Sequence, residues 1–354
     1  MSPPLCQRLV LPLLLAALMG ACQEPADKLW AFSTDAPSRA ALVPVEEGVL
    51  AANEAGRVFR LARTGEPVWR VELGREVAAR PAVSGDSILV GTVGGVLVSL
   101  ALSDGSERWR LTGQPSVLTP LVSDEASVYV VGPDGTVRAH ALETGEVRWR
   151  RPPPGGPRPD SVRSHPAPLL AGGLLLVALD EVGVLALSPK DGRVRWQQAE
   201  ERVLGMTVHG DTLYASTATG QVMALGLADG QLRWRRTEAL ALTSPPTFAQ
   251  EHLWVGAEPD SLLVLSPEDG RQLSRLPLPA PVVAQAAGFQ DWLLVPTRGS
   301  QGWLLALQRP RGPPAFSLRL DTPLVTTPGV LGDQLFVLGL DGRVLSWRLR
   351  PPRR

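Results

Sequence analysis

Beyond residue 22 the chain is a succession of short apolar runs cut by turns. In the stretch 81–114, Pro81-Ala82-Val83 is followed by the turn Ser84-Gly85-Asp86 and the apolar run Ser87-Ile88-Leu89-Val90-Gly91-Thr92. Gly94-Gly95 turns the chain into Val96-Leu97-Val98-Ser99-Leu100-Ala101-Leu102. Asp104-Gly105 then turns it into Glu107-Arg108-Trp109-Arg110. β-Branched and aliphatic runs joined by two-residue Gly/Asp turns predict hairpins, so the unit is a four-stranded antiparallel meander. The same plan fits 43–74, 120–152, 166–200, 204–238, 244–279, 284–322 and 326–352.

The units are in phase. Thr64-Gly65 leads to Trp69, Asp104-Gly105 to Trp109, Thr144-Gly145 to Trp149, Asp191-Gly192 to Trp196 and Asp229-Gly230 to Trp234, with the Trp four residues after the Gly each time. A period of about 40 residues marks a stacked architecture in which each unit buries its faces against its neighbours. In the sixth unit Ser274 falls in the Trp position, and in the seventh Phe316 does. The eighth unit stops after its third strand. Residues 28–34, with Trp30 in phase, precede the first full unit and supply the missing strand. Pairing the two chain ends closes the ring and removes an exposed sheet edge. The expected fold is therefore all-β: one eight-bladed β-propeller of four-stranded antiparallel blades, closed by the N-terminal strand on the last blade. Trp30, Trp69, Trp109, Trp149, Trp196, Trp234 and Phe316 are read as packing residues that fill the wide outer part of each wedge.

Composition agrees with this reading. The 354 residues are 44% hydrophobic and 20% charged, enough for a sizeable core, and 35 Gly with 34 Pro suit many turns. Thirty-five basic residues balance 35 acidic ones, which argues against broad phosphate neutralisation and hence against nucleic acid as a partner. A monomeric propeller is expected.

The first 22 residues stand apart. Leu9 to Leu18 is an apolar run behind Arg8, too short to span a bilayer, and it ends in Leu18-Met19-Gly20-Ala21-Cys22. Small residues before a Cys resemble the lipobox of bacterial lipoproteins, although Met19 stands where Leu is usual. The resemblance implies a signal peptide over 1–21, lipidation at Cys22, a polar tether over 22–27 and the propeller over 28–354. Cys6 is the only other cysteine, so no disulfide within the mature chain is expected. Gln23 after the Cys, by the same analogy, favours the outer membrane facing the periplasm.

The Leu-x-x-x-(Asp/Thr)-Gly-x-x-x-Trp pattern resembles the repeat of pyrroloquinoline-quinone-type propellers. One branch, the quinoprotein dehydrogenases, is longer and carries a vicinal Cys pair and calcium ligands; this chain has neither, so no cofactor and no catalytic residue are expected. The other branch is the BamB-like lipoproteins, non-catalytic eight-bladed propellers of similar length that serve the insertase of outer-membrane β-barrels. The resemblance implies a scaffold with that insertase as partner. The alternatives are a cell-surface ligand- or polysaccharide-binding propeller and a degenerate quinoprotein dehydrogenase.

A search for chemistry finds little. His140, His165, His209 and His252 lie in different units with no ligand partner at metal spacing, and are read as surface or strand-end residues. Ser164 and His165 are adjacent in an extended segment, so their side chains point apart. The period breaks at 150–168, where the Trp149-to-Trp196 step is 47 residues. In a meander this connection shares one face of the disc with the turns between second and third strands, including Asn53-Glu54, Asp180-Glu181, Glu258-Pro259-Asp260 and Arg298-Gly299-Ser300. By family resemblance, Val162-Arg163 before Pro166-Ala167-Pro168 is a partner grip. Arg158 lies beside it, and Glu200-Glu201 on the next connection are approximate matches to the family's acidic residues.

Overall fold

The computed structural model describes residues 26–157, 164–308 and 310–350. They form eight four-stranded antiparallel sheets and no helix. Blade 2 shows the plan: inner strand Ala82–Ser84, then Ser87–Gly91, Leu97–Ala101 and outer strand Glu107–Leu111, each paired with the next. The other blades occupy 43–72, 122–151, 169–198, 203–237, 247–277, 287–319 and 329–349. The last is completed by Ala26–Ser33, which pairs antiparallel with Arg343–Leu349 from Ala26↔Leu349 to Ser33↔Arg343. Pairing thus begins two residues before the expected start at Lys28. The chain is an eight-bladed β-propeller closed by its own two ends.

Burial explains the two patterns in the sequence. The second and third strands of a blade, such as Ser87–Gly91 and Leu97–Ala101, are buried at every position because a neighbouring blade covers each sheet face. They therefore read as continuous apolar runs. The outer strands, such as Glu107–Leu111, alternate between exposed and half-buried positions. The core is correspondingly divided: eight apolar clusters, each between two successive blades, the one between blades 8 and 1 joining Phe336 and Val344 to Leu42, Val49 and Phe59.

The Gly and the Trp of one motif face opposite neighbours. Each Trp belongs to an outer strand, beside a β-bulge that skews it toward the next blade. Its Nε1–H donates across the interface: Trp30 to the Arg63 carbonyl, Trp69 to Leu102, Trp109 to Leu142, Trp149 to Pro189, Trp196 to Leu227 and Trp234 to Pro267, all at 2.8–3.0 Å. The receiving turn carries the next motif's Gly, which lies flat under the same indole. A Cβ on Gly65, Gly105, Gly145, Gly192, Gly230 or Gly270 would fall 2.5–2.9 Å from that ring, and all six have φ between +67° and +91°. The residue before the Gly shapes the turn. Asp104 Oδ1 accepts from Ser106 N at 2.9 Å, and Asp191, Asp229, Asp269 and Thr144 make the equivalent bond. That backbone bond holds the Asp104 carboxyl below its usual value.

The two exceptional positions follow from this geometry. Ser274 Oγ donates to the Pro310 carbonyl, so the cross-blade bond survives without the ring, and a Cβ at Gly312 would meet nothing. Phe316 faces blade 8, whose third and outer strands are the two chain ends and have no connecting turn to offer a carbonyl. A phenyl ring needs no acceptor; it packs edge-on against Trp292 at 4.9 Å. The seam between blades 8 and 1 adds a polar patch: Gln334 Nε2 donates to the Arg63 carbonyl at 2.7 Å and Arg63 approaches Asp333 at 3.4 Å.

Two of the four histidines are not at the surface. His140 is buried in the third strand of blade 3, with Nδ1 2.8 Å from the Gly145 carbonyl. Burial lowers its pKa, against the opposing effect of that carbonyl. His165 is 7% exposed, and neither ring nitrogen has a hydrogen-bond partner among the described residues. Burial lowers its pKa too, although Asp180, Asp134 and the nearby carbonyls of Gly132 and Pro133 act the other way. His209 is exposed and stacks on Phe248 at 3.6 Å, and His252 is half-buried. Histidine patterning alone does not separate these cases, since each stands next to turn or strand residues.

Two outcomes are expected from these contacts. Gly113→Ala, at φ +71° with open space around it, should cost about 1–2 kcal/mol from the left-handed backbone alone. Gly145→Ala, at φ +76° beneath Trp109, should cost about 2–4 kcal/mol because the ring must also move; urea midpoints of the two variants decide. The buried histidines bind fewer protons folded than unfolded. Stability is therefore complete above the ordinary histidine value of about 6.5 and falls as pH drops below it, by no more than about 1.4 kcal/mol per pH unit for each. Urea midpoints at pH 7.5 and 5.5 should show this slope, and a His140→Gln, His165→Gln double variant should flatten it.

Candidate protein-interaction face

One face of the disc is built from the turns between second and third strands together with the connections between blades. Backbone bonds lace the two together. The 73–81 connection is held to the blade 1 turn by Leu73 N→Gly56 O and Val77 N→Asn53 O, and to the blade 2 turn by Val93 N→Glu76 O. Gln114 N→Gly95 O and Val117 N→Thr92 O repeat the arrangement, as do Glu258 N→Ala241 O, Arg298 N→Pro281 O and Leu340 N→Pro323 O further round. Asn53, buried, adds a side-chain bond from Nδ2 to the Thr34 carbonyl at 2.7 Å. The face is thus a rigid collar rather than a set of free loops. Rigid mounting of connecting segments is what makes them effective for recognition.

The connection between blades 3 and 4 departs from that lacing. Its first residues leave the outer strand Val147–Arg151, and Pro153 packs near Gly135 of the blade 3 turn. Its last residues are tied to the preceding connection: Ser164 Oγ donates to the Leu118 carbonyl at 2.8 Å and His165 N to Thr119 Oγ1 at 3.0 Å. Ser164 Oγ also reaches the His165 carbonyl at 3.4 Å but neither ring nitrogen, so among the described residues the two form no nucleophile–base pair. The His165 ring is enclosed at the junction of this connection with the turns of blades 3 and 4. Arg158, Val162 and Arg163 lie outside the described residues, as does Cys22.

The two acidic positions behave differently. The Glu200 side chain is 7% exposed and ion-paired with Arg235 on the outer strand of blade 5, so it ties blade 4's exit to blade 5. Glu201 is exposed on the collar beside Arg202, whose φ of +51° turns the chain into blade 5 and whose carbonyl accepts from Ala218 N. Residue type alone could not rank these two neighbours; the signal was Arg235 in phase on the next outer strand.

Further round the same face, a hollow of about 560 Å³ lies among blades 6, 7 and 8, walled by Pro259, Pro281, Pro323 and Arg298. Among the described residues, no group of three or more His, Cys, Asp or Glu is placed to hold a metal ion. No helix of the described residues is long and apolar enough to cross a membrane.

The comparisons with known proteins bear on this arrangement. The BamB of Burkholderia pseudomallei (strain K96243), an outer membrane protein assembly factor, is 28% identical over 193 residues, covering 51% of this chain and 48% of the relative. The alignment thus spans about half of that relative's length. The crystal structure of BamB from Moraxella catarrhalis superposes with a TM-score of 0.75 at 18% identity, over 93% of this chain and 99% of that one. A quinohemoprotein alcohol dehydrogenase from Comamonas testosteroni superposes as well, with a TM-score of 0.76 at 13% identity over 93% of this chain and 78% of that one. At these identities the two superpositions speak for the propeller and not for either activity. The family profile described as outer membrane protein assembly factor BamB matches residues 54–204 and 200–276, most of the ring. On that match, the chain belongs to the BamB family.

Proposed function

We propose that this chain is a non-catalytic, lipid-anchored scaffold that assists assembly of β-barrel proteins in the outer membrane, with the barrel-assembly insertase as its partner. The family match across blades 1 to 6 carries the reading. On this proposal the chain is lipidated at Cys22 after removal of 1–21, faces the periplasm and acts as a single propeller.

The partner surface we assign is the collar at the junction of blades 3, 4 and 5. Arg158, Val162 and Arg163 would supply a cationic and apolar grip, and Glu201 an acidic counterpart on the next connection. Glu200 supports Glu201 through its pair with Arg235 rather than reaching the partner itself. The topology supports one orientation for this surface. The N-terminal strand runs from Ala26, paired with Leu349, to Ser33, paired with Arg343, which leaves the turn 339–342 on the collar side. Ala26 therefore enters at the face opposite the collar. Cys22 is four residues earlier, so an anchor there would lie within about 14 Å of that face. The collar would then point away from the membrane, toward periplasmic partners.

Affinity purification of the full chain from its own cell envelope should recover the insertase. Arg163→Glu and Glu201→Lys should each reduce recovery about tenfold or more, as expected for reversing a charge at a contact. Glu200→Gln should instead lower the urea midpoint. No recovery, or recovery unchanged in both charge reversals, would sink the proposal.

A further inference from the structure

The inner strands of all eight blades surround an axial channel of about 580 Å³. Its wall is mixed: Leu118, Leu204 and Met206 are among the larger apolar contributors, and Ser164, Gln285 and Thr327 add polar groups. Three charged residues line it: Arg39, Glu76 and Arg80.

Hairpin register places these groups at different depths. Arg80 stands four residues before Ser84, which closes the first hairpin of blade 2 against Ser87. At the equivalent level the other blades present only uncharged and mostly small residues, such as Ala41, Pro120, Ala167, Gly205 and Pro245. Arg39, on blade 1, is one step nearer the collar and is paired with Glu54 at 2.9 Å. Glu76 is four residues before Arg80, at most about 14 Å away along the chain, and its carbonyl is held at the collar by Val93 N. Glu76 thus sits at the mouth and Arg80 well inside.

Arg80 is open to the channel lumen but makes no side-chain hydrogen bond or ion pair among the described residues. The residue is exposed to the lumen, and the nearby wall lowers its guanidinium from the ordinary arginine value by desolvation alone. An unpaired guanidinium inside a confined channel is a receptor for one negative charge. Its planar fork matches a carboxylate with two parallel N–H···O bonds. A single unpaired guanidinium inside, with Glu76 at the mouth, suits a monoanion better than a phosphate dianion.

We propose that the axial channel is a binding site for a carboxylate carried on a slender apolar body, held by Arg80. A free organic acid and the C-terminal carboxylate of a peptide chain present this same chemistry. A channel of this volume falls within the usual range of about 300–1,000 Å³ for small-molecule sites.

Equilibrium dialysis of the full chain tests the site, with hexanoate, hexanamide and hexylamine as probes, and with Ala-Ala-Phe carrying either a free or an amidated C-terminus. Hexanoate or the free tripeptide should bind saturably, and the amide and amine probes at least about tenfold more weakly, as expected when a charge pair loses one partner. Arg80→Gln should cause a similar loss, and Arg80→Lys, which keeps the charge, a smaller one. Tighter binding of the free tripeptide than of hexanoate would assign the site to chain termini, and the reverse order to free acids. Far-ultraviolet circular dichroism confirms that both variants are folded. Carboxylate binding unchanged in Arg80→Gln, or no saturable binding of either acid, would overturn the proposal.

Discussion

The ring is held by one repeated contact in which an indole reaches from each blade into the next. The N–H finds a backbone carbonyl in the neighbour's last tight turn, and the glycine of that turn lies against the face of the same ring. Each half of the contact requires the other. The carbonyl is presented only if the chain turns sharply at positive φ, and the turn can approach the indole only if its residue has no Cβ. Burial of the aromatic surface, a directional hydrogen bond and a backbone conformation are thereby coupled at six of the eight interfaces. The apolar clusters between blades supply most of the driving force, but they are smooth and interchangeable. The indole lock supplies the register that tells one blade how far round to sit from the last.

Much of this was legible in the sequence because it is periodic. Strand count, blade count and the in-phase Trp30 follow from spacing, and spacing survives even where identities drift, as at Ser274 and Phe316. What spacing hides is which neighbour a residue serves. Gly105 and Trp109 are four residues apart and read as one local device, yet one packs on Trp69 of blade 1 and the other bonds to Leu142 of blade 3. The same limit applies to His140, His165 and Arg80. A histidine in a short strand and an arginine before a proline look alike whether they meet solvent, a neighbouring turn or the axis, because depth within the disc is not encoded in the period. Trp254 and Trp292, both fully buried, fall outside the repeated position for the same reason.

Function is less legible than fold because the features that define the ring are not those that act. The regular parts of the collar are stitched to their turns by backbone bonds that any sequence could make. The irregular connection at 150–168 and the paired acids at 200–201 are where composition becomes particular to this chain. Glu200 shows how a scaffold and a surface can share adjacent residues: its pair with Arg235 fixes the backbone from which Glu201 projects.

The closure of the ring also carries a consequence in time. The first strand of the propeller in chain order pairs with the last. Until the final residues arrive, blade 8 lacks its third strand, Arg343–Leu349, and the strand that carries Trp30 has no sheet to join. Contacts between the most distant parts of a chain are the slowest to form. Ring completion is therefore the natural checkpoint of folding, and a chain cut short near its C-terminus would leave two open sheet edges side by side.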